Sequence, residues 1–300
     1  MGGKSVESES LLTGLMLSKS LGNKAMRTIS ENESQQHLKN LQVYGYTIVR
    51  NFVEPFVVKR LLTILNNSFN PTKHKEFSGR QERELEDKFV YNLQNKDKYF
   101  IDILDDPFLT DLLMQNLNDP FYKHLPADVP NYILGYYTAR SSGPTDLPMH
   151  TDTFVPSPGD KTWTIQVAFM LEDSTKDNGC TVVVPGSHRS GRFVDRGLDK
   201  HEYLEANAGD ALIWDSRTWH GTTANKMGAS RWAAIALFQT WWVKQRTDIP
   251  RSLPEEIYQE LTERQKILLG FCSIPPKDEH ERLNFKGGYA QLKPSVKDYY

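Results

Sequence analysis

At 300 residues, with 38% hydrophobic, 25% charged and 11% aromatic side chains, the chain can bury one substantial core and is too apolar to be disordered throughout. A net charge of −2 without a dominant basic run excludes a nucleic-acid footprint, and no apolar run reaches the roughly 18 residues that a spanning helix needs. Cys180 and Cys272 lie far apart and outside any CxxC pairing, which excludes a zinc knuckle and a disulfide framework. The expected partner is therefore a small molecule, with no nucleic acid and no membrane, and a homodimer is left open. Met1-Gly2 is followed by Val6 where a myristoylation signal wants Ser or Thr, and Glu7 and Glu9 argue against a transit peptide, so a cytoplasmic location is expected.

Residues 1–37 mix Ser, Glu, Lys and Asn around one amphipathic stretch, Leu11 to Leu21, and read as a mobile N-terminal arm; 38–300 read as a single catalytic domain. From Val43 the run VYGYTIVRNFV predicts a strand. Pro55 then suits the first turn of a helix carrying Phe56, Leu61, Leu62, Leu65 and Phe69. Residues 71–88 are rich in Lys, Arg and Glu and predict a solvated loop or lid segment at the substrate entrance, with Lys73, Lys75, Arg80 and Arg83 read as solvated surface cations in preference to contacts for a phosphate or carboxylate substrate.

Between 131 and 245 the character changes. Short runs of Val, Ile, Thr and aromatics (NYILGYYTA, TWTIQVAFML, CTVVVPG, ALIWD, RWAAIALFQTWW) are punctuated by Gly, Pro and Asp, which predicts an antiparallel sandwich or barrel. Beyond it lies a helical extension over 250–300. Ser252 and Glu255 resemble a capping box, with Ile257, Leu261, Ile267 and Leu268 as an apolar face and Gly270 as the stop.

His150-Thr151-Asp152 puts two potential ligands at i and i+2, a spacing that shares one face on a strand. Imidazole and carboxylate suit ferrous iron. About one such pair is expected by chance in a chain of this composition, and a second, His74-Lys75-Glu76, sits in the charged loop with no flanking strand. Context separates them. Downstream of the first pair, a turn at Ala208-Gly209-Asp210 leads into a strand, then to His220, and Arg231 follows His220 by eleven residues at the start of the next strand. Two histidines and a carboxylate leave three positions open on iron, enough for a bidentate 2-oxo acid and O2. Arg231 offers a planar fork for the acid's far carboxylate, and Thr222 adds a hydroxyl. His188 competes for the third ligand but lacks an Arg at the same offset and sits in a turn.

The pieces GYTIVRNFVEP, MHTD, DNGCTVVVPGSHR and GDALIWDSRTWHGT occur in an order that resembles the phytanoyl-CoA dioxygenase family over residues 41 to about 245. That resemblance implies a mainly β fold, the double-stranded β-helix or cupin-like jelly roll, with flanking helices. It implies an oxidoreductase that uses Fe(II), 2-oxoglutarate and O2 to hydroxylate, desaturate or cyclise a small organic metabolite, with release of succinate and CO2. His150, Asp152 and His220 carry over as metal ligands, and Arg231 and Thr222 as co-substrate contacts. The family often has an aromatic beside the co-substrate on the strand before DNGC, where this chain offers Phe169, Ala168 or Gln166, and Gln166 is taken as a cofactor contact. Phe154 and Trp219 are the expected substrate contacts, among aromatics that include Trp163, Tyr136, Trp241 and Trp242. Two other classes stay open: a jelly-roll metal enzyme without 2-oxoglutarate, which has no need of Arg231, and a non-catalytic binding module.

Overall fold

The structure, a computed structural model, describes residues 25–71, 87–121, 128–153, 159–191, 200–274 and 280. The arm stretch Leu11–Leu21, the HxE pair at 74–76, the four loop cations and Phe154 lie outside them.

Helix α1 (Glu31–Tyr44) opens the described fold, capped by the Ser30 hydroxyl accepting from the Glu33 N–H. It ends at Gly45, whose φ of 82° lets its N–H return to Leu41 O, and strand β1 (Tyr46–Val49) follows directly. Val43 and Tyr44, expected in the strand, belong to α1 instead, and the expected arm boundary at 37 falls inside that helix. The physical reason is the glycine: one left-handed residue ends a helix where a run of β-formers suggested continuity. Helix α2 (Pro55–Ser68) has Pro at its start as expected and buries Val57, Val58, Leu61 and Leu65. Sequence reasoning found no element between 92 and 130. There Asp106 caps α3 (Pro107–Leu117) by accepting from the N–H groups of Phe108 and Leu109, and the Asp-Pro before an apolar run was the available signal.

Strands β2 (Lys88–Tyr91), β3 (Tyr132–Ser141), β4 (Leu147–His150), β5 (Thr164–Met170), β6 (Thr181–Val183), β7 (Glu202–Leu204), β8 (Ala211–Asp215), β9 (His220–Thr222) and β10 (Trp232–Thr240) complete two sheets. The larger runs β1-β8-β5-β10-β3-β2 and the smaller β4-β9-β6-β7, with every pairing antiparallel. This is the expected jelly roll. The three helices pack on the outer face of the large sheet, where Ile165, Val167 and Phe169 of β5 and Trp232, Ala234, Ala236 and Phe238 of β10 join one apolar core. Alternate residues, Ala168, Met170 and Ala233, turn inward with Val183, Leu212 and Trp214. On β3 the register against β10 slips at Gly135, so that Leu134 and Tyr137 both face the helices. That bulge turns Tyr136, Thr138 and Arg140 into the cavity.

The C-terminal helix expected from Ser252 to Gly270 is three short ones: α4 (Ile249–Ser252), α5 (Glu255–Gln259) and α6 (Glu263–Leu268). Pro254 has no N–H to continue the first, and the Ser252 hydroxyl donates back to Ile249 O rather than capping. The capping box is formed by Thr262 and Gln265. Gly270, with φ 91°, ends the last helix as expected.

Gly45 joins α1 and β1 against the small sheet's connections. A Cβ there would stand 2.5 Å from Thr218 Oγ1 and 2.6 Å from His188 Nδ1. Gly45→Ala is therefore expected to cost roughly 2–4 kcal/mol, from left-handed strain plus overpacking. Urea unfolding monitored by tryptophan fluorescence checks it; an unchanged midpoint contradicts the packing described.

Candidate active site

His150 ends β4 and His220 begins β9, and the two are paired across the small sheet, with ring centroids 4.4 Å apart. Each ring is oriented by its own backbone: His150 Nδ1 lies 2.9 Å from Pro148 O and His220 Nδ1 2.9 Å from Thr218 O. A carbonyl can only accept, so both Nδ1 atoms carry the hydrogen and both Nε2 lone pairs are left for a metal. Asp152 lies past the end of β4, in a bend, so the shared strand face expected of positions 150 and 152 is not what unites them. Its N–H donates to Ser216 O, at 2.9 Å, in the β8–β9 connection, and this tether turns the carboxylate back to the histidines. Asp152 Oδ2 is 2.9 Å from His220 Nε2 and Oδ1 is 3.6 Å from His150 Nε2. All three candidate ligand atoms fall within 4.8 Å of one another.

Burial by itself would push the Asp152 carboxyl up, yet the facing histidines hold it well below the usual carboxylate range. For His220 burial disfavours the charged form, but the Asp152 charge and hydrogen bond outweigh it and raise its pKa. The cluster is an anion held between two imidazoles, a donor set matched to a divalent cation. The side chains of His150, Asp152 and His220 are 35%, 15% and 6% exposed, so the site opens on the His150 side.

A cavity of about 670 Å³ extends from the triad between the sheets. Its apolar lining includes Ala168, Met170, Trp214, Ala233 and Ile235, and Phe89, Tyr91 and Tyr136 add aromatic wall. Trp214 packs its ring 5.4 Å from that of His220. Trp219, an expected substrate contact, does not line this cavity; its N–H is held by Ser187 Oγ at 2.9 Å. Phe169 faces the helices, and Ala168 and Gln166 occupy the inner face of β5. Gln166 does not stand free as a co-substrate contact: its Nε2 donates to Asp152 and its Oε1 accepts from the Tyr136 hydroxyl at 2.9 Å. His188 stays in its turn, with Nε2 3.1 Å from Gln42 O.

Arg231 is 2% exposed and lines the same cavity. Its N–H donates to Ser141 Oγ at 2.9 Å and its Nε to Ser174 Oγ at 3.1 Å, while Nη2 is buried and has no partner among the described residues. Burial, with a contribution from Arg140, lowers its pKa to about 9. The expectation that His220 and Arg231 come from adjacent strands is corrected: β9 lies in the small sheet and β10 in the large one, so the two residues face each other across the barrel. Sequence reasoning missed a second cation. Arg140 of β3 pairs with Asp87 through Nε and Nη2, both at 2.8 Å, and Asp87 Oδ1 also accepts from the Gly143 N–H at 2.7 Å. A charged residue inside the apolar run NYILGYYTA-Arg140 was its sequence signal.

The model of the phytanoyl-CoA dioxygenase (PhyH) family matches residues 41–233. The chain belongs to the phytanoyl-CoA dioxygenase family. Among curated relatives, Dioxygenase af480 of Aspergillus fumigatus is 26% identical over 193 residues, which cover 62% of this chain and 59% of that protein. The iron/alpha-ketoglutarate-dependent dioxygenase ausO of Aspergillus calidoustus is 23% identical over 250 residues, covering 77% and 80%. Of solved structures, HygX from Streptomyces hygroscopicus with nickel and 2-oxoglutarate bound superposes with a TM-score of 0.55 at 12% identity, over 73% of this chain and 90% of that one, which shows a shared fold. Among the described residues no helix is long and apolar enough to cross a membrane.

The Asp87–Arg140 pair yields a stability prediction. Asp87→Ala leaves a guanidinium buried without its carboxylate and is expected to destabilise by about 3–5 kcal/mol. Equilibrium urea unfolding checks it, and a loss below about 1 kcal/mol would place the pair among solvent-screened surface bridges.

Proposed function

We propose that this protein is an Fe(II)- and 2-oxoglutarate-dependent dioxygenase that oxidises a small organic metabolite, with His150, Asp152 and His220 as its metal ligands. The observation that carries the reading is the coexistence, in one cavity, of a His-Asp-His cluster with both Nε2 atoms directed at the carboxylate and a buried arginine with an unpartnered Nη2. A buried cation without an anion is costly, and a bound carboxylate resolves that cost.

Iron with 2-oxoglutarate and O2 supplies, when bound, an oxidant that takes hydrogen from a substrate carbon, with succinate and CO2 as co-products. The chain's own part is positioning. His150, Asp152 and His220 would hold the metal, and with only three protein ligands it would keep room for the co-substrate and O2. Arg231 takes the far carboxylate through its fork and Thr222 adds a hydroxyl donor. Gln166, fixed by the Tyr136 hydroxyl, donates to Asp152 and so holds the carboxylate's rotation. Ala168, Met170 and Ile235 give the cavity an apolar wall against which a substrate carbon skeleton can pack. The cavity's size suits a drug-sized substrate lying along Phe89, Tyr91 and Tyr136. A cytoplasmic location and a homodimer remain expectations from the sequence. A jelly-roll metal enzyme without 2-oxoglutarate is the poorer reading, because it leaves Arg231 without an anion.

Two tests follow from these roles. His150→Ala and His220→Ala should each lose stoichiometric iron, measured by metal analysis after anaerobic loading, whereas His74→Ala should keep it; iron retained at wild-type level in either active-site variant sinks the ligand assignment. Arg231→Leu should bind metal normally while its 2-oxoglutarate affinity falls by about 2–5 kcal/mol, by calorimetry on the Mn(II)-loaded protein. An unchanged affinity would favour the metal enzyme that lacks this co-substrate.

A further inference from the structure

Thr222 and Arg140 come from opposite sheets, β9 and β3, and meet in the cavity's lining: Arg140 Nη2 donates to Thr222 Oγ1 at 3.3 Å. Arg140 is itself immobilised. Asp87 takes its Nε and Nη2, and the second oxygen of Asp87 is tied to the Gly143 N–H, so the guanidinium plane is fixed by a carboxylate that is fixed in turn. Asp87, Arg140 and Thr222 are 5%, 7% and 7% exposed. A threonine hydroxyl has one hydrogen and two lone pairs. With Arg140 donating to the oxygen, that hydrogen cannot point back at Arg140, and among the described residues it meets no acceptor. Thr222 and Arg231 line the same cavity, so an acceptor bound there can take that hydrogen.

We infer that Arg140, tethered by Asp87, is a positioning residue for the co-substrate: it holds the Thr222 hydroxyl as a hydrogen donor to the carboxylate that Arg231 takes. This rests on the co-substrate reading above. The two guanidiniums and Asp87 together carry one positive charge, which one carboxylate balances. Arg140 therefore acts through Thr222, its own charge being met by Asp87, and removing the two opposite charges together should matter only while the hydroxyl is present.

A double-mutant cycle on the full chain tests this. Binding of 2-oxoglutarate to the Mn(II)-loaded protein is measured by calorimetry for Asp87→Asn/Arg140→Gln, which replaces the ion pair with two neutral amides and leaves the net charge unchanged, for Thr222→Val, for the combination of the two and for Arg231→Leu, with Mn(II) affinity measured separately. The amide pair and Thr222→Val should each weaken 2-oxoglutarate binding about tenfold, the loss expected when a charge-assisted hydrogen bond goes. Mn(II) affinity should move by no more than about twofold, and the combination should bind within about twofold of Thr222→Val alone. Additive losses in the combination would mean that Arg140 acts directly, and an unchanged 2-oxoglutarate affinity in the amide pair would mean that it does not act at all; either overturns the inference. If the amide pair does not fold, the cycle is run from Asp87→Leu/Arg140→Met, an apolar replacement of the buried pair. Loss in Arg231→Leu without loss in the amide pair sinks this inference alone, whereas no loss in Arg231→Leu removes the co-substrate reading and this inference with it.

Discussion

The two-residue period of a β-strand is the constraint on which this protein rests. Each strand in the middle of the large sheet must satisfy a helix-covered core with one set of side chains and a cavity with the other. On β5 that division is Ile165, Val167 and Phe169 against Gln166, Ala168 and Met170. The outer set supplies most of the buried apolar surface and hence the driving force for the fold. The inner set is then free to carry polar groups such as Gln166, whose burial is offset by hydrogen bonds to Asp152 and Tyr136. Where the period has to slip, at Gly135, a bulge takes up the extra residue and aims Tyr136, Thr138 and Arg140 inward. A side chain at that glycine would stand 2.2 Å from Gln239 Oε1, so the bulge and the missing Cβ go together.

Charge is arranged with the same economy in the lining of the cavity. At the open end a carboxylate sits between two imidazoles whose other nitrogens are fixed by backbone carbonyls. Elsewhere in the lining two guanidiniums are buried, of which Arg140 is paired with Asp87 and Arg231 is held by the hydroxyls of Ser141 and Ser174. Placing like charges together in a low dielectric is unfavourable, and it is seen in the depressed pKa of Arg231, to which burial contributes most and Arg140 next. Native structures keep such an arrangement where an anion completes it. The cavity thus has a carboxylate between two imidazoles and a pair of buried guanidiniums in one apolar-walled lining, the polarity on which the proposed function rests.

Much of this was legible in the chain itself. The spacing of HxD, a further His and an Arg, set among runs of β-formers, singles out His150, Asp152, His220 and Arg231, which the fold brings to one cavity; ligand chemistry restricts residue type, whereas the tether to Ser216 rather than strand periodicity turns Asp152 to the histidines. The glycine stop at Gly270 was legible because it depends on a backbone conformation that few residues adopt. The capping box was misplaced because Ser252 and Thr262 offer the same local pattern, and only the position of Pro254 in the folded chain separates them.

What only the tertiary structure decided are relations between residues distant in sequence. That His220 and Arg231 face each other from different sheets, that Asp152 is turned by Ser216 rather than by its strand, and that Asp87 reaches Arg140 across 53 positions leave no periodic trace in one sequence. The same holds for Trp214, which lines the cavity, and Trp219, which does not. The sequence by itself determined which chemistry the chain can hold, since that follows from residue type and local spacing. The tertiary structure decided what each of those groups faces, since a side chain's partner is set by sheet pairing and packing that no local pattern encodes.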